Sequence, residues 1–165
     1  MTNNDILIRL RYALDIKDKD MVEIFKLGGM EVTLEEVQKM LTKPKDGYDY
    51  DVEDDESINV NNKNLELFLN GLIIFKRGKQ EPKPGQPERP PLSNEPVNNI
   101  VLKKLKIALT LTSEDIIEIL KGVGVIISKS ELGALLRKQG HKHFKECGDK
   151  YARNFLKGLA VRYRG

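Results

Sequence analysis

The chain is written twice, and this constrains its fold more than any single motif does. Residues 4–43, moved along by 95 positions, fall on 99–138 without a gap. Asn4/Asn99, Leu7/Leu102, Leu10/Leu105, Ala13/Ala108, Leu14/Leu109, Asp20/Asp115, Glu23/Glu118, Ile24/Ile119, Lys26/Lys121, Gly29/Gly124, Glu36/Glu131, Leu41/Leu136 and Lys43/Lys138 are identical. A second register, shifted by 87, pairs Phe68-Leu69-Asn70-Gly71-Leu72 with Phe155-Leu156-Lys157-Gly158-Leu159, and Arg77-Gly78 with Arg164-Gly165. A repeat of this length marks a folded unit, and the helix faces left over from each unit are expected to pack copy against copy or, in trans, as a dimer.

The pattern inside each copy is helical. Ile6, Leu7, Leu10, Ala13 and Leu14 recur at the spacing of one helix face, which predicts a helix over 4–15. Asp18 is the expected N-cap of a second helix through Met21, Val22, Ile24 and Phe25, and Gly28-Gly29 its expected end. Thr33-x-x-Glu36 reads as a capping box opening a third helix. Copy two repeats the scheme with Ser113 as cap, Gly122 and Gly124 as stops, and Ser128-x-x-Glu131 as box. Fourth helices are expected over 62–77 and about 146–163, the latter burying Tyr151, Ala152, Phe155, Leu156, Leu159, Ala160 and Tyr163. Val32 and Ile127, in β-prone links, are expected to plug the core rather than form a sheet.

The two copies have opposite charge. Residues 1–78 carry 11 Lys and Arg against 16 Asp and Glu, whereas 97–165 carry 14 against 6. Such asymmetry points to a polyanionic partner for the basic half, or to attraction between the halves. Six of the seven prolines lie in 79–96, which reads as an extended linker. Prolines 84 and 87 also make a PxxP pattern, for which a linker is the plainer explanation. Between its third and fourth helices copy one carries an acidic loop at 46–56, where copy two has the compact Gly140–Asp149 stretch. No apolar run reaches the length of a membrane helix. The N-terminus has no secretory pattern, and the single Cys147 forms no internal disulfide. The cytoplasm is therefore the expected compartment.

Several strings in copy two resemble a known family. They are Asn98-Asn99-Ile100-Val101-Leu102-Lys103-Lys104-Leu105, His141-Lys142-x-Phe144-x-Glu146-Cys147-Gly148-Asp149 and Phe155-Leu156-x-Gly158-Leu159. With Asn70-Gly71-Leu72-Ile73 and Lys76-Arg77-Gly78 of copy one, they make the chain similar to the YehS-like family, a bacterial family of duplicated domains of unknown function. The resemblance implies a cytoplasmic bacterial protein and brings no activity with it. Copy one departs from the pattern at its acidic loop, so a function of that stretch would belong to copy two alone.

Candidate chemistry is sparse. His141, His143 and Cys147 are the one cluster of metal-capable types, but zinc sites pair two-ligand knuckles at fixed spacing and this is a single irregular group. Cys147 near a helix start could be an activated thiol, although no base and orienting group can be identified beside it. Asp54-Asp55-Glu56 lacks the alternating ligands of a calcium loop. The glycine pairs end helices, whereas a phosphate-cradling loop would open one. Gly28–Thr33 could be the turn of a helix-turn-helix, but the following helix opens with Leu34-Glu35-Glu36, which would set acid against phosphate.

The basic face is the stronger feature. Lys150, Arg153, Lys157 and Arg164 share one side of the last helix, opposite its apolar stripe. Lys142 and Lys145 extend this side, and Lys103 and Lys106 share a face of the first helix of copy two. A cationic stripe is sufficient for phosphate binding, which draws its affinity from counterion release.

The expected fold is therefore all-α: two pseudo-symmetric copies of a four-helix unit, 1–78 and 97–165, joined by a Pro-rich linker at 79–96. The expected function is that of a non-enzymatic cytoplasmic binding or adaptor protein with a protein partner or self-association, needing no cofactor. The alternative is nucleic-acid association through the basic face of copy two. A third reading is a metal or thiol site at His141, His143 and Cys147.

Overall fold

A computed structural model describes residues 1–42, 58–78, 92–93 and 95–164. These form eight helices and no strand: α1 (Asn3–Leu14), α2 (Asp18–Gly28), α3 (Leu34–Met40), α4 (Asn62–Arg77), α5 (Val97–Ala108), α6 (Ser113–Lys121), α7 (Lys129–Leu136) and α8 (Asp149–Arg164). The all-helical, duplicated architecture is as expected. The acidic loop at 46–56, its Asp54-Asp55-Glu56 group and most of the Pro-rich segment lie outside the described residues.

The helix boundaries follow local chemistry. Thr33 and Glu36 form the reciprocal capping box of α3, and Gly29 closes α2 at φ 101°, a left-handed conformation that favours glycine. Two caps differ from expectation by one residue. The N-cap of α6 is Thr112, whose box partner is Asp115, and Ser113 is already helical. The matching position in copy one is Lys17, which makes no side-chain cap, while Asp18 pairs with Arg11 at 2.8 Å. Ser128 accepts from the Glu131 N–H as expected. In both copies a non-glycine residue in the left-handed region ends the first helix, Asp15 at φ 51° and Thr110 at φ 53°. The duplication therefore extends to an unfavourable backbone conformation.

Within each copy the second helix packs on the fourth, α2 on α4 and α6 on α8. Glycines set the approach. A Cβ on Gly71 would stand 1.8 Å from the Ile24 carbonyl oxygen, and one on Gly158 would stand 2.6 Å from the Ile119 carbonyl oxygen. These are equivalent contacts in the two registers. In copy one Gly28 adds a second close approach, to the Leu67 carbonyl.

The copies pack against each other in cis. The principal seams are α1 against α8 and α4 against α5, the same pair of surfaces used twice about a pseudo-two-fold axis. The first seam runs parallel: the Met1 amine meets Asp149 at 3.0 Å at one end, and Arg164 reaches the Tyr12 carbonyl at 3.0 Å and Asp15 at 3.2 Å at the other. Both copies feed one apolar cluster that includes Leu7, Leu10, Phe25, Phe68, Leu105, Ile116, Phe155 and Leu159. Each such side chain contributes roughly 1.5–3 kcal/mol when taken out of water. Ile127 is buried and Val32 partly so, as plugs. Tyr163 departs from the expected buried stripe: it is 45% exposed, because the last turn of α8 runs past the packed core.

Candidate functional site

Cys147 precedes α8 rather than lying within it, since the helix begins at Asp149. His143 and Cys147 therefore do not share a helix face. The thiol is 3% exposed, and burial first, with the Asp149 charge second, pushes its pKa up to about 11. In the register of 87 its counterpart is Val60, another buried apolar residue. The Cys147 N–H donates to Asn99 Oδ1 at 2.8 Å, just as the Val60 N–H donates to Asn4 Oδ1 at 3.0 Å. Cys147 is thus a core residue on a clamped strand of backbone. A thiolate nucleophile needs the opposite environment.

His141 and His143 are exposed, and the Nδ1 of His141 accepts the His143 N–H at 3.0 Å. Among the described residues no three His, Cys, Asp or Glu side chains gather as a metal site would require. A cleft of about 290 Å³ lies between the copies, lined by Asn98, Glu146, Cys147 and Asp149 among others. Three of its polar groups, Asn98, Asp149 and the Met1 amine, are engaged with one another. Asn98 Nδ2 donates to Asp149 Oδ1 at 2.8 Å, and the Met1 amine takes the other oxygen. Asn98 and the amine together hold the Asp149 carboxyl below the usual range.

The candidate cations fall into two groups. Lys103 and Arg164 are engaged inside the molecule. Lys103 bonds both oxygens of Glu95 at 2.9 Å and lies over the Phe144 ring, with both charged side chains largely covered. Burial by itself would raise the Glu95 carboxyl, but the Gln139 N–H at 2.9 Å and the Lys103 ammonium outweigh it and hold it low. Arg164 pairs with Asp15 and stacks over the Tyr12 ring at 4.2 Å. Lys106 is half-buried on α5.

Lys142, Lys145, Lys150, Arg153 and Lys157 form the second group. All five are exposed, and none makes an ion pair among the described residues. Lys150, Arg153 and Lys157 follow one another along α8 at i, i+3 and i+7, so one turn separates each from the next. Arg162, off this line, pairs with Asp115 at 3.7 Å.

The residues around the α4/α5 seam were not legible as a group. Glu66 is 3% exposed and accepts from Ser93, whose N–H lies 2.9 and 3.0 Å from its two oxygens and whose hydroxyl lies 3.2 Å away. Lys104 lies in the field of both Glu66 and Glu95, yet burial holds its pKa below the usual lysine value. The available signal was the register itself, which sets Arg153 in copy two against Glu66 in copy one.

A family model described as a protein of unknown function (DUF1456) matches residues 3–78 and 98–165, one segment on each copy. The chain is also 43% identical over 164 residues to the uncharacterized protein YehS of Escherichia coli (strain K12), covering 98% of this chain and 96% of that one. No solved structure matches it. The resemblance read from the residue strings is borne out.

Proposed function

Because the chain belongs to the DUF1456 family, whose function is unknown, membership brings no activity, and we propose that it is a cytoplasmic, non-enzymatic protein that binds the phosphate backbone of nucleic acid through its basic copy. The observation that carries this reading is the set of exposed cations Lys142, Lys145, Lys150, Arg153 and Lys157, the last three along one side of α8, each without an ion pair among the described residues. Cations left uncompensated on one face raise the local positive potential and recruit polyanions at a rate and affinity that fall with salt. The adaptor reading has the acidic copy, residues 1–78, and the basic copy, 97–165, contact different surfaces, and any helix face left over by either unit would be open to a partner. Packing in cis takes up those faces, α1 with α8 and α4 with α5, which favours the polyanion over a protein partner. Among the described residues no helix is long and apolar enough to cross a membrane.

The test is charge reversal. Lys150→Glu, Arg153→Glu and Lys157→Glu together are expected to abolish binding to labelled oligonucleotides while leaving the helical fold intact, since all three side chains are exposed. Undiminished binding in the triple variant would overturn the reading.

A further inference from the structure

The α1/α8 and α4/α5 seams are two versions of one surface, and they treat charge differently. Across α4/α5 the seam is compensated and covered. Glu66 is buried, Ser93 is bonded to it, and Lys104 lies in its field. The register of 87 sets Arg153 and Lys157 in the places of Glu66 and Asn70, and the register of 95 sets Arg9 in the place of Lys104. The α1/α8 seam thus exchanges a carboxylate and an amide for two cations and keeps the third.

These cations are less compensated than the charges at the other seam: only Arg153 lies in the field of a carboxylate, that of Asp149. Arg9, Arg153 and Lys157 are all exposed, whereas Glu66 and Asn70 are buried. None of the three makes a hydrogen bond or ion pair among the described residues. The nearby carboxylates are engaged elsewhere. Asp5 turns back to the Thr2 N–H at 3.1 Å, and Asp149 is bonded by Asn98 and the Met1 amine, leaving Arg153 only the weakest part in holding its carboxyl low. Like charges contributed by two helices to one seam repel one another unless an anion lies between them.

We infer that the α1/α8 seam is the track for the phosphate backbone of a single-stranded nucleic acid, with Arg9 of the acidic copy completing a site that the basic copy alone does not form. This rests on the polyanion reading above and names where the strand runs. Single-strand binders combine such a cationic groove with aromatic rings on which bases stack. Tyr12, 59% exposed, and Tyr163, 45% exposed, both lie near the end of the seam where Arg164 bridges the helices. Cations at i and i+4 on α8 recur every ~6 Å of helix rise, a step comparable to one nucleotide of an extended strand.

The test is fluorescence anisotropy of labelled oligothymidylate and of a labelled duplex across a salt series. Wild type is expected to prefer the single strand. Arg9→Glu is expected to weaken it by about tenfold or more and to lower the salt slope by about one. Lys26→Glu, the same charge change on an exposed residue of α2 in the same copy, is expected to leave binding within about twofold, as a contact remote from phosphate should. Tyr163→Ala is expected to weaken single-strand binding by roughly tenfold and to spare the duplex. If Arg9→Glu binds like wild type while the triple variant of α8 has lost binding, the seam is not the track and the broader reading stands. Equal affinity for duplex and single strand, unmoved by Tyr163→Ala, also overturns the inference. Failure of wild type to bind either probe overturns both.

Discussion

Asn99 holds Cys147: its side-chain oxygen accepts the Cys147 N–H at 2.8 Å, while its nitrogen donates to the Leu135 and Lys145 carbonyls, each at 3.0 Å. Asn4 repeats the arrangement with Val60, Met40 and Ile58. In each copy one buried amide thus joins the first helix to both ends of the segment between the third and fourth helices. Asn99→Ala would leave an N–H and two carbonyls buried without partners, and a loss of about 3 kcal/mol is expected from that alone. Asn4→Ala should cost a similar amount. Asn99→Asp, which keeps the acceptor and loses the donors, should be no better. Urea unfolding of the three variants checks this, and losses under about 1 kcal/mol would show the amides to be dispensable.

The glycines of α4, α7 and α8 separate packing from propensity. Gly71→Ala and Gly158→Ala would set a Cβ against a backbone carbonyl of the facing helix, so destabilisation of about 2–3 kcal/mol is expected. Gly133→Ala, in α7 with open space around the new methyl, should instead stabilise by about 0.5–1 kcal/mol. Thermal melts of the three proteins distinguish the cases by sign.

Cys147 is expected to resist alkylation at neutral pH in the folded protein and to react freely in denaturant, because a buried thiol with a pKa of about 11 offers almost no thiolate. Cys147→Val, which copies Val60, should keep stability within about 1.5 kcal/mol, as a core replacement of similar size does. Rapid native labelling would contradict the buried placement.

Acid should loosen the tie between the start of α5 and the loop after α7. The Glu95 carboxyl titrates below its ordinary 4.5 in the folded chain, so its contribution is complete above that value and is lost as pH falls through the folded pKa. Wild type is therefore expected to lose thermal stability between neutral pH and pH ~3 more steeply than Glu95→Gln, which has no such carboxylate to protonate. Parallel profiles would show that the Lys103–Glu95–Gln139 contacts do not tie the start of α5 to the loop after α7.

The helices were legible because their signals are local. Thr33 and Glu36 are three residues apart, and an apolar face repeats within four. The displaced caps show the limit of such signals. Ser113 and Asp18 are good cap types, but Thr112 wins by reaching Asp115, and Lys17 stands at the boundary with no cap at all. Asn4 and Asn99 stood out as an identical pair, but their partners lie 36–56 and 36–48 residues away, and no spacing names them. Lys103 read as a surface cation for the same reason: Glu95, which covers it, belongs to the connecting segment. Arg9 was overlooked because it lies in the acidic copy, and its setting appears only once α1 lies against α8.

The most direct measurement is the salt dependence of binding to a labelled single strand. With about four or five phosphates neutralised, the slope of log affinity against log salt is expected to lie near −3, and the triple reversal on α8 should remove binding altogether. Absence of binding at the lowest salt, or an affinity indifferent to salt, would contradict a backbone-binding role for the basic copy.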